Sequence, residues 1–330
     1  MEAYTPPYQI TDRMLVLVSD ISEKLGRLSE HRSLETRLHL RRNNKIQSIH
    51  SSLRIEANSL SLGEVRDVIN GRVVLGPAKE IQEVKNAYDA YEQLMALDPY
   101  SIEELKRLHG IMMRFIKEDA GSFRLGEEGV FHGDRCIFMA PPARLVSELM
   151  QSLFDWMRRS KNTVHPLILS AVFHYEFVFI HPFSDGNGRM ARLWHSALLA
   201  KWNPVFEFIP LESQIEKFQE GYYNAIAACH VDGESTKFIL FMLERIDEIL
   251  DAVQSQAETV LAGTTQYVKR ILDVMEYDIP YTANELLALL HLKSKETLRR
   301  SYLGPAIASG MIEMTLPEKP QSKNQRYVKR

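Results

Sequence analysis

Cysteine is nearly absent from this chain: Cys136 and Cys229 are the only two in 330 residues. Two thiols cannot build a disulfide framework or a four-cysteine zinc site, and such usage suits a reducing cytoplasm. No uninterrupted apolar run reaches the roughly 18 residues of a membrane-spanning helix, so no membrane contact is expected. The N-terminus, MEAYTPPYQITDR, lacks a basic start, and the apolar run at 14–18 is too short for a secretory leader. Glycine and proline together supply 30 residues, which excludes collagen-like and low-complexity chains. A charge imbalance is missing too. The net charge of −3 gives no global positive field for nucleic acid.

What is present is an ordinary globular composition, 45% hydrophobic and 25% charged, in a length that suits two domains. Helical spacing predicts helices within 8–60 and over 77–97, 101–117, 143–159, 163–180, 189–202, 212–230 and 235–257. The segment 163–180 is almost wholly apolar and reads as a buried helix. Residues 121–139 break this pattern with four glycines and read as a hairpin that ends at Pro141-Pro142.

One stretch carries chemistry: His181-Pro182-Phe183-Ser184-Asp185-Gly186-Asn187-Gly188-Arg189-Met190-Ala191-Arg192. A glycine loop that feeds a helix N-terminus collects N–H donors and suits an anion. Arg189 and Arg192, three apart, add two guanidiniums near one face, as a polyphosphate would need. Asp185 is a hard oxygen ligand of the kind that shares Mg²⁺ with phosphates. His181 is placed to take a proton from a hydroxyl. No GxxxxGK[ST] and no HExxH occurs, so the loop is neither a P-loop nor a zinc protease site. A lone His beside Pro at a helix end is usually structural; here the whole set of residues argues otherwise. His174 reads as a packed core histidine.

HPFSDGNGRMAR resembles the signature of the Fic family (filamentation induced by cyclic AMP), H-P-F-x-[D/E]-G-N-G-R-x-x-R, and the likeness extends over roughly residues 40–250. Gly188 matches the branch that moves AMP rather than the Doc-type phosphotransferases. The resemblance implies a mainly α Fic-fold core with a β-hairpin flap. It further implies Mg²⁺-dependent transfer of AMP from ATP to a Tyr, Thr or Ser hydroxyl of a protein target, the chain itself included. On that match His181 is the catalytic base and Asp185 the metal ligand. Gly186, Asn187 and Gly188 line the anion hole, Arg189 binds the β-phosphate, and Arg192 orients the γ-phosphate. Residues 130–142 resemble the flap, with Ile137, Phe138 and Met139 over the nucleotide and the target strand added alongside. Residues 222–234 resemble the helix that walls the adenine pocket. Tyr222, Tyr223, Ile226 and His230 are the candidates there, and His230 stands where Asn is frequent in the family.

The segment SSLRIEAN at 51–58 resembles the family's inhibitory helix, [S/T]-x-x-x-E-[G/N], with Ser52 and Glu56 in place and Ala57 where Gly or Asn is usual. Glu56 would then pair with Arg192 and fill the γ-phosphate site, making the enzyme autoinhibited. The expected organisation is an N-terminal helical region (1–100) with the inhibitory helix at about 45–60, a catalytic core (101–257), a connecting helix or linker (258–281) and a module at 282–330. That module reads as helix, turn, helix and hairpin, the order of a winged helix-turn-helix. Strands are expected at 311–314 and 325–328. It carries nine Lys and Arg against four acids. Lys293, Lys295, Arg299, Arg300, Lys323, Arg326, Lys329 and Arg330 could face DNA or form a solvated surface of a protein-binding module. Two alternatives stay open: a nucleotide-sensing transcriptional regulator, and a Fic enzyme that uses another nucleotide or removes AMP. A homodimer and a cytoplasmic location complete the expectation.

Overall fold

Helices dominate the chain, as their spacing predicts. The computed structural model describes residues 4–30, 34–132, 135–263, 265–276 and 279–329, and side chains within these other than at 29–41, 130–137, 208 and 256–263. The chain divides into two compact units, Met1–Glu30 with Asn44–Leu250, and His31–Asn43 with Asp251–Arg330. The first unit draws on α1 (Asp12–Glu30), the part of α2 (Leu34–Ile55) from Asn44 on, α3 (Leu62–Ile69), α4 (Ala78–Glu92) and α5 (Ile102–Met112). The hairpin β1 (Gly129–His132) and β2 (Arg135–Met139) follows. Then come α6 (Ala143–Ser160), α7 (Pro166–Ile180), α8 (Asn187–Trp202), α9 (Leu211–Lys217), α10 (Gln219–Asp232) and the start of α11 (Thr236–Gly263).

Helix α7 is the centre of this unit. Its sequence PLILSAVFHYEFVFI is apolar on every side, and a helix of that kind is stable only when surrounded. His165 caps its start by accepting from the Leu167 N–H, and Pro166 occupies the first turn, where a missing N–H costs nothing. The helix therefore begins at 166 rather than 163. Helix α8 packs beside it through Phe173 and Trp194, whose ring centroids lie 6.3 Å apart, and through His174 and His195 at 5.4 Å. Trp194 Nε1 donates to the Pro99 carbonyl at 3.1 Å, which satisfies its one polar atom. The loop between the two helices is thus held on a dense core.

Other boundaries differ from the spacing for identifiable reasons. Helix α5, capped by Ser101 as expected, stops at Met112 because Asn86 Nδ2 takes the carbonyls of Met112 and Arg114. The expected helix 212–230 is two helices, α9 and α10, broken at Phe218, whose ring lies under the Arg245 guanidinium at 4.1 Å. The segment expected to be inhibitory lies at the end of α2, which starts earlier than 45 and ends at Ile55.

The second unit holds α12 (Gln266–Val274), β3 (Pro280–Tyr281) and α13 (Ala283–Leu289). A helical run through residues 295–308 contains a π-helical stretch at Leu298–Leu303. Strands β4 (Ile312–Met314) and β5 (Tyr327–Lys329) complete an antiparallel sheet of order β3–β5–β4. Thr282 and Glu285 form the expected capping box on α13. Val268, Ile271 and Leu272 of α12 share one hydrophobic cluster with Leu286, Leu298, Tyr302 and Tyr327. Residues 266–274 therefore pack with the module rather than linking to it. Strand β3, two residues long, has no sequence signal.

His174 and His195 are fully buried, and burial holds both neutral: His174 is lowered well below the usual imidazole value of 6.5, and His195 is lowered to about 4. The unfolded chain takes up protons on both below about 6.5 while the folded chain does not, so folding stability falls with pH in that window. Thermal melts from pH 7 to pH 4 should show this fall, and His195→Asn, which keeps a donor for the Ser170 carbonyl, should flatten part of it. An unchanged profile in that variant would mean His195 does not titrate on unfolding.

Candidate functional site

The loop after α7 begins with a left-handed residue. His181 has φ 52° and ψ 59°, a conformation that costs a non-glycine residue about 1–2 kcal/mol. Its Nδ1 lies 3.4 Å from the Val178 carbonyl, and a carbonyl only accepts. Nδ1 therefore carries the proton of the neutral ring and leaves the Nε2 lone pair free. Burial lowers the His181 pKa below 6.5, against the opposing pull of Glu128 and Glu56, so the free-base form is favoured at neutral pH.

The rest of the loop is held from both sides. Asn187 closes it: Oδ1 accepts from the Phe183 N–H at 2.9 Å and Nδ2 donates to the Phe183 carbonyl at 2.7 Å. His109 supports it from α5. Its Nδ1 accepts from the Gly121 N–H, so Nε2–H donates to the Asp185 carbonyl at 3.0 Å, and its ring stacks on Phe183 at 3.6 Å. Burial pushes the His109 pKa down to about 4, which keeps this tautomer neutral. Gly186 needs its glycine twice over: φ is +80°, and a Cβ would lie 2.7 Å from Met113 Sδ.

The two arginines diverge. Arg189 is buried and bonds Asp185 Oδ1 at 3.0 Å and Glu83 Oε1 at 3.4 Å. Arg192 turns to the end of α2. Its Nη2 donates to Glu56 Oε1 at 2.8 Å and to the Ser52 carbonyl at 3.0 Å, and its Nε donates to Ser52 Oγ at 3.1 Å. The Arg192 side chain is 1% exposed and that of Glu56 34%. Burial works against the guanidinium charge, but the Glu56 carboxylate outweighs it and raises the Arg192 pKa. Gly188 is a close-approach glycine: a Cβ there would lie 2.5 Å from Glu56 Oε1 and 3.1 Å from Arg192 Nη1. The carboxylate thus lies directly over the glycine of the predicted anion nest.

These groups open into a cavity of about 580 Å³, a size that suits a small-molecule ligand. Glu56, His181, Asn187, Gly188 and Arg192 line one end, and Phe138, Tyr222, Tyr223, Ile226 and His230 the other. His230 stacks on Phe138 at 4.0 Å and its Nδ1 lies 3.1 Å from the Tyr175 hydroxyl. Tyr222 is buried, with its hydroxyl 2.9 Å from His174 Nε2, while Tyr223 is half exposed. Some expected residues fall elsewhere. Gly186 faces Met113, Arg189 faces its two carboxylates, and Met139 points to solvent, so none of the three lines the cavity. The Ile137 side chain lies outside the described residues. The flap backbone is the expected antiparallel hairpin, with a register shift between Val130 and Phe131.

Asp185 Oδ1 is taken by Arg189 and by the Gly186 N–H. Its Oδ2 makes no protein hydrogen bond among the described residues, and its side chain is one-third exposed. No cluster of three or more His, Cys, Asp or Glu forms a metal cage among them. One hard oxygen beside an anion site fits a Mg²⁺ that takes its remaining ligands from phosphate and water.

Two residues that sequence reading missed shape this site, His109 and Arg124. Both act across long sequence distances on backbone carbonyls, and nothing in their local pattern marks them.

Comparisons with known proteins bear on the family. The profile of the Fic/DOC family matches residues 97–199, and that of the Filamentation induced by cAMP protein Fic-like, C-terminal domain matches residues 266–328. A crystal structure of a Fic family protein from Desulfovibrio desulfuricans G20 is 37% identical, with 99% of this chain and 98% of that one covered and a TM-score of 0.74. Protein adenylyltransferase fic-1 of Caenorhabditis elegans is 25% identical over 273 residues, 78% of this chain and 51% of that one. Protein adenylyltransferase Fic of Nematostella vectensis is 28% identical over 232 residues, 67% of this chain and 50% of that one. The chain belongs to the Fic family. It spans about half the length of the curated relatives it matches. No helix among the described residues is long and apolar enough to cross a membrane.

Ala57 follows the end of α2 with φ 63°, at a position where glycine or asparagine would be free of strain. Ala57→Gly should therefore raise stability by about 1 kcal/mol, less the entropy glycine adds to the unfolded chain. Denaturant midpoints of the two proteins decide this, and a lower midpoint in the variant would contradict the left-handed assignment.

Proposed function

We propose that this protein transfers AMP from ATP to a hydroxyl side chain of a protein, and that Glu56 holds it inactive. The observation that carries the reading is the Glu56 carboxylate on Arg192 and over Gly188, in the cavity that also receives His181. An anion nest with a guanidinium behind it suits a terminal phosphate, and a carboxylate occupies that position. The names of the curated relatives support AMP as the group moved.

In the proposed reaction the target hydroxyl gives its proton to His181 Nε2. Its oxygen bonds to the α-phosphorus, the bond from that phosphorus to the bridging oxygen breaks, and pyrophosphate leaves. Asp185, oriented by Arg189, would hold Mg²⁺, which when bound offsets phosphate charge. The Gly188 backbone and Arg192 carry the phosphate chain, where stabilisation of charge is usually the largest catalytic term. Phe138, Tyr223, Ile226 and His230 offer flat apolar surface to the base. With Glu56 in place, the γ-phosphate has no access to Arg192 and the chain of phosphates is set wrongly for attack. The flap edge supplies main-chain groups to which a target strand can add.

The decisive experiment is intact mass after incubation with ATP and Mg²⁺. Glu56→Gly protein should gain about 329 Da per AMP, the mass that condensation with loss of pyrophosphate leaves behind, on itself or on an added target. Glu56→Gly with His181→Ala should gain nothing. Because burial lowers the His181 pKa, the acid limb of the Glu56→Gly pH–rate profile should fall below 6.5. No labelling of the chain or of lysate proteins by any nucleoside triphosphate would overturn the reading.

A separate observation favours a second role for the C-terminal unit as a DNA-binding winged helix. Lys293, Lys295, Arg299 and Arg300 are all exposed at or within the helical run 295–308, with Lys323 and Arg326 exposed before β5. Lys329 is not part of this face, since its Nζ caps α12 through the carbonyls of Leu272 and Met275; Arg330 lies outside the described residues. Mixed-sequence duplex DNA should be retarded at low salt and released as salt rises, because such contact is electrostatic. No retention at about 50 mM salt would rule this role out.

A further inference from the structure

Arg124 stands outside the cavity and outside the motif, yet it is almost fully buried. A guanidinium has five N–H donors in a rigid fork, and here the fork meets only carbonyls. Its Nε donates to the His181 carbonyl at 2.7 Å. Nη1 donates to the Gly126 carbonyl at 2.8 Å, and Nη2 to the carbonyls of Pro141 at 2.5 Å and Ile180 at 3.4 Å. The backbone N–H of Arg124 adds a bond to the Pro182 carbonyl at 2.9 Å. Two of these partners flank the hairpin, Gly126 before β1 and Pro141 after β2. The other three are the last residue of α7 and the first two of the loop that carries His181. Among the described residues no carboxylate forms an ion pair with the guanidinium; Glu127 and Glu128 act on it from further off, and its charge is met at contact by carbonyl dipoles and by the negative end of α7.

From this bridging geometry we infer that Arg124 is a positioning residue for the transfer reaction, fixing the base of the flap and the backbone of His181 in one frame. The inference rests on the function proposed above. His181 is held left-handed, and the bond to its own carbonyl opposes relaxation of that residue. The same side chain closes the mouth of the hairpin. A target strand added to the flap is thereby placed at a fixed distance from Nε2. Lysine has the charge but not the fork, and glutamine has neither the charge nor the reach to all four carbonyls.

The test uses Arg124→Lys and Arg124→Gln in the full chain, each in the Glu56→Gly background. A misplaced base costs about 10²-fold, so kcat should fall by that order in both variants while KM for ATP holds. The charged groups around His181 are Arg124, Glu128, and Glu56 with its partner Arg192, of which Glu56 is removed in both the variants and their Glu56→Gly parent. Removing the Arg124 charge relieves a repulsion of the imidazolium. The acid limb, and the His181 imidazole titration read by NMR against His181→Ala, should therefore move to higher pH in Arg124→Gln and stay in Arg124→Lys. Backbone hydrogen exchange across 126–141 should quicken in both. A merely structural role would lower kcat only through the amount of folded protein, so kcat per folded molecule unchanged in both variants would overturn the inference. A Glu56→Gly parent that transfers no AMP would overturn the proposed reaction instead, and hydrogen exchange across the flap would still decide whether Arg124 ties it to the His181 loop.

Discussion

A guanidinium taken almost wholly out of water must find its counter-charge and its acceptors nearby, because an unpaired buried charge costs several kcal/mol. Arg192 is such a group, and the end of α2 supplies what it needs: the Ser52 hydroxyl and carbonyl and the Glu56 carboxylate. The pairing fixes where α2 ends relative to α8. It also fills the position over Gly188 that a phosphate would take. On the proposed function, stability of the resting fold and silence of the site would have one cause. A ligand that brings its own negative charge could replace Glu56 without leaving Arg192 unpaired, so the proposed brake would be reversible.

The motif loop depends on the same logic of satisfied groups. Helix α7 is too apolar to exist outside a core, so its C-terminus arrives at a fixed point, and α8 leaves from one. Between them several backbone carbonyls have a side-chain or backbone partner. Val178 takes His181 Nδ1, Phe183 takes Asn187, Asp185 takes His109, and Ile180, His181 and Pro182 take Arg124. These bonds restrain the loop, and His181 keeps a strained backbone because the neighbours over-determine it.

Much of this was legible from residues in order. The motif from His181 to Arg192, the Ser52 and Glu56 spacing, the Ser101 cap and the Thr282–Glu285 box are local patterns, and the physics behind each acts within one or two turns. Arg124 and His109 were not legible, because their partners lie 57 and 76 residues away and are backbone atoms that any sequence would offer. The break at Phe218 was hidden because helical spacing continues through it; only the ring under Arg245 ends the helix there. Ala57 was visible as a departure from the family pattern, but its meaning, a left-handed residue without glycine's freedom, needed the backbone. Arg189 and Arg192 share a spacing and not a set of partners, since the surrounding carboxylates lie on different segments, Glu83 in α4 and Glu56 just past α2.

The central claim is that Glu56 and a terminal phosphate compete for Arg192. The most direct measurement is a pair of crystal structures with a non-hydrolysable ATP analogue and Mg²⁺, one of the wild-type chain and one of Glu56→Gly. The account predicts that the γ-phosphate of the variant's ligand takes the bond to Arg192 Nη2 that Glu56 makes here, while in the wild type Glu56 keeps that bond and the phosphates follow another course. A γ-phosphate on Arg192 in the wild type, with the Glu56–Arg192 contact intact, would contradict it.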